Sequence, residues 1–507
     1  MAANPSIQLG TDGNWAIKED NLLAYKKDGT RFFNKEFDFT RGSLATFVDK
    51  DGLIKYSGVT DTELVVNGNF SDGTNSWTPN TNATLSIDNG KLKVAISGAA
   101  SGYPSQNITT VVGRKYKITA DAFIGTATKV SLYSAAFGFN DLTTDGSYNF
   151  TFTATSTSTQ IRLYVYGNES YGFWDNVSVK EIQTDVPRID FTDDATGHLL
   201  LEPQSTNTVR YSEDFSNAEW GQVGSPTLTG GQLAPDGTLT ATKISGTIGS
   251  SNIALGTSSS TTATRTIYAK TVSGTGTAKL MSYYGNTNNL FTLTEEWQRF
   301  ELTGSISTGG PTFYIDFRDN SQTLSEFIIW GAQSEELTYA TSYIPTNGST
   351  ATRIADACNN SGSAQDFNSE EGVLYAEIAA LANENSTTAI SINDGTTSNA
   401  VQLFITNTIN QIRARVSNST AQFFEEITLS DITNFNKIAI KYKQNDFALW
   451  VNGNEVATDT SGNTPLGLNN LSFDRGDGFN NFNGKVRNVQ VFNKALTDRE
   501  LEILTIQ

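Results

Sequence analysis

Two stretches of alternating sequence place aromatic and charged side chains on one side of a predicted strand. In QIRLYVYGN (160–168) and TFYIDFRDN (312–320), apolar residues alternate with Tyr, Arg and Asp, so the two kinds of side chain point to opposite faces. Tyrosine rings can stack on the apolar faces of sugars, while Arg and Asp hydrogen-bond to hydroxyl groups. The candidate carbohydrate-binding residues are Tyr133, Arg162, Tyr164, Tyr166, Tyr314, Asp316 and Arg318. A structural interpretation stays open, because Tyr and Arg are also enriched in buried interfaces.

A calcium site is a further candidate, in the segment SFDRGDGFNNFNG (472–484). Asp474 and Asp477 lie there among Gly and Asn residues, and Ca²⁺ takes carboxylate and carbonyl oxygens as ligands. The same residue types also form ordinary turns. The segment is therefore predicted to be a turn, with a structural calcium ion as the alternative.

Residues suited to catalysis are few. The sole histidine, His198, follows a turn and has no second histidine with which to complete a zinc site. No G-x-S-x-G elbow or phosphate-binding glycine loop is present. Two carboxylates at a fixed separation suffice for a glycosidase, and Asp316 with Asp319, or Glu295 with Glu296, are nominees. Solvated charges in turns explain these acids better, so the chain is predicted not to be an enzyme.

Composition excludes several classes of partner. The 507 residues carry a formal net charge of −18 and no Lys/Arg run longer than a pair, which argues against nucleic acid and anionic membranes. Cys358 is the only cysteine, so no intrachain disulfide is possible. The start, MAANPSIQLG, has neither the basic nor the apolar region of a secretion signal, and no apolar run is long enough to span a bilayer. The chain is therefore expected to be made and folded in a cytoplasm.

The elements that must position the candidate residues are strands. Period-two patterns such as KIAIKYK (437–443), separated by Gly, Asn and Asp turns, predict an all-β protein of antiparallel sandwiches. An internal repeat supports two similar domains. LVVNGNFSDGTNSW (64–77) and VRYSEDFSNAEW (209–220) share one plan, and each is followed by a closing strand, GFWDNVSVKEI (172–182) or EFIIWGAQSEEL (326–337).

One helix is predicted at the end of the chain, in VFNKALTDRELEIL (491–504). Thr497 and Glu500 have the spacing of a capping box, and Leu496 and Leu501 that of a hydrophobic staple. Leu501 and Leu504 are expected to pack the helix against one end of a sandwich.

Three family resemblances follow from these motifs. The opening N-G-N-F, the tryptophan after it and the closing F-W-D-N-V-S-V resemble CenC-like carbohydrate-binding jelly rolls, and 207–346 resembles the same modules. Residues 436–456 and 484–501 are similar to laminin-G/concanavalin-A-like sandwiches. Residues 14–58 and 186–207 resemble segments of tailed-phage virion proteins, through DFTRGSLATFVDKDGLI and PRIDF with LLLEPQSTN.

The resemblances imply a division of the chain into consecutive regions. The predicted regions are an N-terminal virion-attachment region (1–60), an inserted jelly roll (61–183), a continuation of the platform (184–206), a second jelly roll (207–346) and a concanavalin-A/laminin-G-like sandwich (347–507). Segments 37–58 and 186–207 are predicted to form one unit that the first jelly roll interrupts, since loop tips accept insertions whose ends are close.

The function implied is that of a virion structural protein, either a tail fibre, a spike or a receptor-binding subunit. Its N-terminal region would bind other virion proteins and its sandwiches would bind host-surface glycan, with the C-terminal sandwich distal and three copies assembled by analogy with phage fibres. The N-terminal region is too short to bury much core alone, so it is expected to gain its order from a partner, either the virion or neighbouring copies of the protein. The alternatives are a head fibre or capsid decoration protein, a glycan-degrading tailspike, and a bacterial surface adhesin.

Overall fold

The protein is built almost entirely of antiparallel strands, which confirms the predicted all-β class. The computed structural model describes residues 4–506 except 19–20, 29–30, 193–194, 258–261, 283–289, 306–311 and 384–385. Contacts divide the chain into two compact units. The first combines Met1–Ser57, Thr184–Ser205 and Arg353–Gln507, and the second combines Gly58–Gln183 with Thr206–Thr352.

The strands before the first sandwich belong to the first unit. They are β1 (Ile7–Leu9), β2 (Ala16–Lys18), β3 (Asn21–Asp28), β4 (Arg31–Glu36), β5 (Asp38–Thr40), β6 (Thr46–Val48) and β7 (Ile54–Tyr56), with a 3-10 turn at Thr11–Gly13.

Residues 58–183 form the first sandwich. Its strands are β8 (Val59–Glu63), β9 (Thr78–Pro79), β10 (Ala83–Asp88), β11 (Lys91–Ile96), β12 (Ser101–Gly102), β13 (Pro104–Thr109), β14 (Lys115–Phe123), β15 (Lys129–Ser134), β16 (Gly138–Leu142), β17 (Gly146–Thr153), β18 (Ser158–Tyr166) and β19 (Tyr171–Ile182). One sheet has the order β10-β11-β19-β14-β17, and the facing sheet β16-β15-β18-β13-β9.

Residues 206–352 form the second sandwich. The strands that lead into it are β20 (Ile189–Asp190), β21 (His198–Leu201) and β22 (Ser205–Asn207). Its own strands are β23 (Gly221–Val223), β24 (Thr227–Gln232), β25 (Ala241–Ser245), β26 (Asn252–Gly256), β27 (Thr262–Lys270), β28 (Gly276–Ser282), β29 (Leu290–Leu293), β30 (Gln298–Ser305), β31 (Thr312–Asp316) and β32 (Glu326–Glu335).

The two sandwiches share one topology. The second has sheets β24-β25-β32-β27-β30 and β29-β28-β31-β26-β23, which match the five-strand orders of the first; the first has β8 beside β19 and β12 beside β18 in addition. The closing strands β19 and β32 occupy the same central place, and both opening motifs bury a Phe–Trp pair, Phe70 with Trp77 and Phe215 with Trp220. The repeat read from the sequence is thus a repeat of structure.

Residues 353–507 form the C-terminal sandwich. Strand β33 (Ala351–Arg353), which pairs with β22, precedes it. Its elements are β34 (Ala357–Asn359), β35 (Glu371–Ala380), β36 (Thr388–Asn393), β37 (Asn399–Ile405), β38 (Gln411–Asn418), β39 (Thr420–Thr428), β40 (Asn436–Lys443), β41 (Phe447–Val451), β42 (Asn454–Asp459), β43 (Asn470–Ser472), β44 (Gly484–Phe492) and helix α1 (Asp498–Thr505). One sheet runs β44-β35-β40-β41-β42 and the other β39-β38-β37-β36-β43.

The terminal helix is capped as predicted. Thr497 accepts from the Glu500 N–H, and the Glu500 carboxylate accepts from the Thr497 N–H. Leu501 is buried in a cluster with Tyr375 and Trp450, side chains on the outer face of the β35–β40–β41 sheet. The helix therefore covers a sheet face rather than an end of the sandwich, because this sheet is apolar on both faces. No helix among the described residues is long and apolar enough to cross a membrane.

The N-terminal strands complete the C-terminal sandwich of the same chain. Strand β44 pairs with β35 on one side, while β1 and β21 pair with successive parts of its other side. Ile7, Leu9 and Leu199 lie in the same hydrophobic core as the C-terminal strands. The expectation that this region takes its order from outside the chain is therefore wrong for these strands. A free edge strand exposes unpaired backbone groups, and the chain's own segments cover this one.

Five buried ionic side chains, here called the junction cluster, tie together the segments where the chain enters and leaves the second unit. They are Arg41, Arg188, Glu202, Arg353 and Asp356. Asp356 bridges two arginines, at 3.1 Å from Arg41 Nη1 and 2.5 Å from Arg188 Nη2. Glu202 bridges Arg188 at 2.6 Å and Arg353 at 3.0 Å. Removing one member of a buried pair leaves an uncompensated charge, so the cluster fixes one arrangement of these segments.

Electrostatics within the junction cluster follow from its three cations and two acids. Burial, and then the neighbouring Arg188, lower the pKa of Arg41 to about 10. Burial alone would also lower the pKa of Arg188, but Asp356 and Glu202 outweigh it and raise that pKa. Arg41 additionally donates to the Ser57 hydroxyl and the Thr184 carbonyl, on either side of the first insertion.

The two ends of the first sandwich are adjacent. The Gln183 N–H donates to the Gly58 carbonyl at 2.7 Å, and β8 pairs with the end of β19. This is the geometry that insertion of a module into a loop requires.

Candidate functional site

The first sandwich has an exposed patch of aromatic rings, here called the aromatic face. The pairing of its strands places these side chains next to one another. Its residues are Tyr103, Tyr133, Phe139, Arg162, Tyr164 and Tyr166. In β18, Ile161, Leu163 and Val165 are buried in the core, so the residues that alternate with them lie on the opposite side of the sheet.

Cross-strand pairing brings the members of the aromatic face together. Arg162 in β18 lies opposite Tyr133 in β15, which in turn lies opposite Phe139 in β16. The ring centroids of Tyr133 and Phe139 are 4.3 Å apart. Tyr164 is 4.4 Å from Tyr103 and 5.7 Å from Tyr166, the latter nearly parallel at 22°. Phe139 keeps 56% of its surface exposed, so the patch remains open to solvent.

Arg162 lies at the centre of the aromatic face. Its guanidinium carbon is 4.9 Å from the Tyr103 ring centroid and 5.3 Å from that of Tyr133. It donates to Gln160 Oε1 at 2.7 Å and to the Tyr164 hydroxyl at 3.4 Å. A guanidinium has five N–H donors, so three have no acceptor among the described residues. Burial lowers the pKa of Arg162, but the bond to Tyr164 and the nearby tyrosines outweigh it and raise the pKa above its ordinary value.

A charged pair borders the aromatic face. Lys129 Nζ lies 4.5 Å from the Tyr166 ring centroid and 2.6 Å from the Asp141 carboxylate. Partial burial, and then Asp141 and Tyr164, raise the pKa of Tyr166. Sequence reasoning found Tyr133, Arg162, Tyr164 and Tyr166, but missed the neighbouring members Tyr103 and Phe139. Phe139 alternates with inward residues of GFNDL, a signal too short to stand out.

On the second sandwich, the three predicted residues also come together but satisfy one another. Arg318 donates from Nε and Nη2 to the two Asp316 oxygens at 2.8 and 2.7 Å, and its guanidinium carbon lies 4.8 Å from the Tyr314 ring centroid. Asp316 is 8% exposed. We call Tyr314, Asp316 and Arg318 the paired face. This bidentate Arg–carboxylate pair neutralises the Arg318 charge and engages both Asp316 oxygens.

The predicted calcium segment does not offer a coordination shell. Both oxygens of Asp474 accept backbone N–H groups, from Gly476 at 2.5 Å and Gly478 at 3.1 Å. Both oxygens of Asp477 accept from Arg475, at 2.8 and 2.9 Å. An arginine on a carboxylate repels a cation, so these residues do not fit calcium. Burial is the largest influence on Asp474 and raises its pKa.

The nominated acid pairs and the histidine have structural partners. Asp319 contacts Lys279, and Glu295 accepts from the Gly274 N–H at 2.6 Å while Glu296 is exposed. His198 is buried, with its Nε2 3.9 Å from Asp190. Among the described residues, no group of three or more His, Cys, Asp or Glu side chains is arranged to hold a metal ion.

Comparisons with known proteins agree with the fold of the C-terminal sandwich. Residues 363–502 match the Laminin_G_3 family model of the concanavalin A-like lectin/glucanases superfamily. This segment is therefore a concanavalin A-like domain, as predicted. No curated protein sequence matches the chain.

Similar solved structures include three with parts like this chain. The leech intramolecular trans-sialidase complexed with 2,7-anhydro-Neu5Ac is 19% identical over 27% of this chain and 23% of its own, with a TM-score of 0.24. The CBM22-1-CBM22-2 tandem domain of Paenibacillus barcinonensis Xyn10C is 11% identical over 55% of this chain and 98% of its own, with a TM-score of 0.20. Mouse laminin alpha1 domains LG4-5 are 9% identical over 47% and 85%, with a TM-score of 0.19. The matched part thus spans under a quarter of the leech enzyme.

Proposed function

We propose that this protein is a non-enzymatic attachment protein of a tailed-phage virion, and that it binds host-surface glycan through the aromatic face of the first sandwich. The observation that carries the binding proposal is a ring cluster left open to solvent around a guanidinium with unused donors. Solvent-exposed aromatic clusters are costly to keep on a surface without a partner.

The chemistry of the aromatic face suits a sugar chain. Rings offer apolar surfaces for the C–H faces of pyranoses, while the three unused donors of Arg162 suit hydroxyl oxygens. Tyr164 and Tyr166 are nearly parallel on β18, and the Tyr103 ring lies 4.4 Å from Tyr164 on the neighbouring strand segment. A ring surface that spans two strands suits several sugar units rather than one.

The virion role rests on the resemblance of residues 37–58 and 186–207 to phage proteins. Arg41, Arg188 and Glu202 lie in those motifs, and in the structure they belong to the junction cluster. The motif residues therefore hold the insertion points of the sandwiches, which is the task of a platform that displays modules. Attachment to other virion proteins and a homotrimeric assembly remain predictions by analogy.

Glycan binding is tested with the full chain on an immobilised glycan panel, followed by titration of the best ligand. The double variant Tyr133→Ala/Tyr164→Ala should weaken binding by at least about 30-fold, as expected for central aromatic anchors. The matched variant Tyr314→Ala should change affinity less than about twofold, because the Arg318 guanidinium already lies against the Tyr314 ring in the wild type. A double variant that binds as tightly as the wild type, with an unchanged melting profile, would refute the proposal.

The virion role needs a separate experiment. Immunogold labelling of particles of the encoding phage should place the protein at the tail, and labelling over the capsid would instead make it a head fibre or decoration protein. Purified protein incubated with host capsule or lipopolysaccharide should release no reducing ends. Release that an acid-to-amide variant abolishes would make it a glycan-degrading tailspike.

A further inference from the structure

The solvent-facing side of the β36–β39 sheet carries a cavity that the aromatic face does not account for. It has a volume of about 380 Å³, and we call it the arginine pocket. Its principal lining residues are Gln402, Phe404, Arg413, Arg415, Arg475 and Asn480, and no Asp or Glu is among its lining side chains. The chain has a net charge of −18, so a cavity lined by three arginines differs in local charge from the protein as a whole. The volume lies within the range of small-molecule sites, about 300–1,000 Å³.

Local ion pairs neutralise two of the three arginines. Arg413 donates to Glu426 at 2.8 and 2.5 Å, and Arg475 donates to both oxygens of Asp477. Arg415 is different. It forms no ion pair with a described carboxylate, and its Nε is buried without a hydrogen-bond partner in the described part of the chain. The pocket thus keeps one uncompensated positive charge, on Arg415.

An orphaned acceptor lies beside this charge. Gln402 is fully buried, and its Nε2 donates to the Arg475 carbonyl at 2.6 Å, while its Oε1 has no partner among the described residues. Such a group is costly unless a ligand or water satisfies it. Gln402 and Arg415 are direct cross-strand partners in β37 and β38, so their side chains start only about 5 Å apart.

One aromatic ring lines the same pocket, and two more lie against residues that line it. Phe404 lines it, and Phe424, the cross-strand partner of Arg415 on its other side, is 49% exposed. Phe479 is 65% exposed and lies 5.5 Å from the Arg475 guanidinium carbon. The site therefore combines a cation, a hydrogen-bond acceptor and apolar ring surfaces within a single cavity.

We infer that the arginine pocket binds an acidic sugar, with the sugar carboxylate on Arg415 and a neighbouring hydroxyl donating to Gln402 Oε1. A simple anion meets the arginine but offers no donor to Gln402. A neutral sugar offers the donor but leaves the arginine unpaired. A carboxylate and a hydroxyl on adjacent carbons satisfy both groups at once. This site is on a different sandwich from the aromatic face and does not depend on it.

Titration calorimetry of the full chain with small probes tests the inference. Glucuronate should bind at least about tenfold more tightly than glucose, than the neutral glucuronamide, and than sulfate, because a hydrogen-bonded charge contributes at least that factor. Equal affinity for glucuronate and glucuronamide would overturn the role of the carboxylate. Sulfate as tight as glucuronate would overturn the assignment to a sugar. These comparisons use the wild-type chain and do not depend on the folding of any variant.

Variants then locate the site. Arg415→Gln should weaken glucuronate binding at least about tenfold, and Arg415→Lys should restore part of it. The matched control Arg499→Gln removes an exposed arginine from helix α1 of the same sandwich and should have no effect. Tyr164→Ala, which damages the aromatic face, should also leave glucuronate binding unchanged. Loss with Tyr164→Ala but not with Arg415→Gln would refute the pocket and assign the acidic sugar to the aromatic face.

Discussion

The first and second sandwiches share one topology and differ in what their equivalent sheets present to solvent. On β18 of the first, Arg162 is surrounded by rings and keeps unused donors. At the end of the equivalent strand β31 of the second, Arg318, two residues beyond the strand, is held by both oxygens of Asp316. The two strands show the same alternation in sequence. With Asp316 at this position, the second sandwich has a closed ion pair where the first has an arginine with unused donors.

The largest expected effects on affinity and stability come from replacing Arg162 on the aromatic face and Arg318 on the paired face. Arg162→Met should weaken glycan binding by about 2–3 kcal/mol, roughly 30–150-fold, since a central anchor that supplies hydrogen bonds is lost. Its melting temperature should hardly change. Arg318→Met should show the opposite pattern, with unchanged glycan affinity and lower stability. Titration and calorimetric unfolding of both variants measure the contrast, and equal losses of affinity would mean that both faces bind.

A smaller effect, on stability, is expected from replacing the acidic residues Asp316 and Asp141. Asp316→Ala leaves Arg318 without its buried partner and should destabilise the second sandwich by about 2 kcal/mol, which lowers its melting temperature by roughly 4–8 °C. Asp141→Ala breaks the pair with Lys129, whose side chains are 44% and 35% exposed, and should cost less than about 1 kcal/mol. Differential scanning calorimetry compares the two. A larger cost for Asp141→Ala would contradict the distinction between an open and a closed face.

A third effect concerns pH and a carboxyl of the second sandwich. Glu213 accepts from the Tyr343 hydroxyl at 2.9 Å, and burial, followed by Asp236, raises its pKa from 4.5 to about 8. Between these values the folded state binds more protons than the unfolded state, so stability falls as pH rises from 4.5 to 8.

The slope is at most about 1.4 kcal/mol per pH unit, and smaller here because Glu213 is only half-buried. Glu213→Gln should flatten this dependence and be the more stable form at pH 7.5. Melting temperatures at pH 5, 6, 7 and 8 check this. If the melting temperatures of the wild type and the variant changed with pH in the same way, the pKa of Glu213 would not be raised by folding.

Much of the fold could be predicted from the sequence because its signals are local. Alternation placed Ile161, Leu163 and Val165 inside and Arg162 and Tyr164 outside, as the structure has them. The Phe–Trp motifs identified the repeat, and the spacing of Thr497 and Glu500 identified the cap. Each of these depends on residues a few positions apart, whose relation is fixed by strand or helix geometry.

The candidate site could be predicted only in part, since its members lie on different strands. Tyr103 contacts Tyr164, which is 61 positions later in the sequence, and the residues around Tyr103 give no sign of this contact. Likewise, the sequence nominated Asp316 as a ligand-binding group, while the structure pairs it with Arg318. Residue type specifies what a side chain can bind, but its neighbours decide whether it is already bound.

The sequence by itself determined the all-β class, the repeated sandwich, the capped terminal helix and the two faces of regularly alternating strands such as β18. Only the tertiary structure decided that β1 and β21 cover the edge of β44, that five distant ionic residues meet in the junction cluster, and that Gln402 and Arg415 border one pocket. The physical reason is the separation along the sequence between the residues that interact. Backbone geometry carries alternation and capping over a few residues, whereas strand pairing and burial of charge join segments that are hundreds of residues apart and select among many partners of the same type.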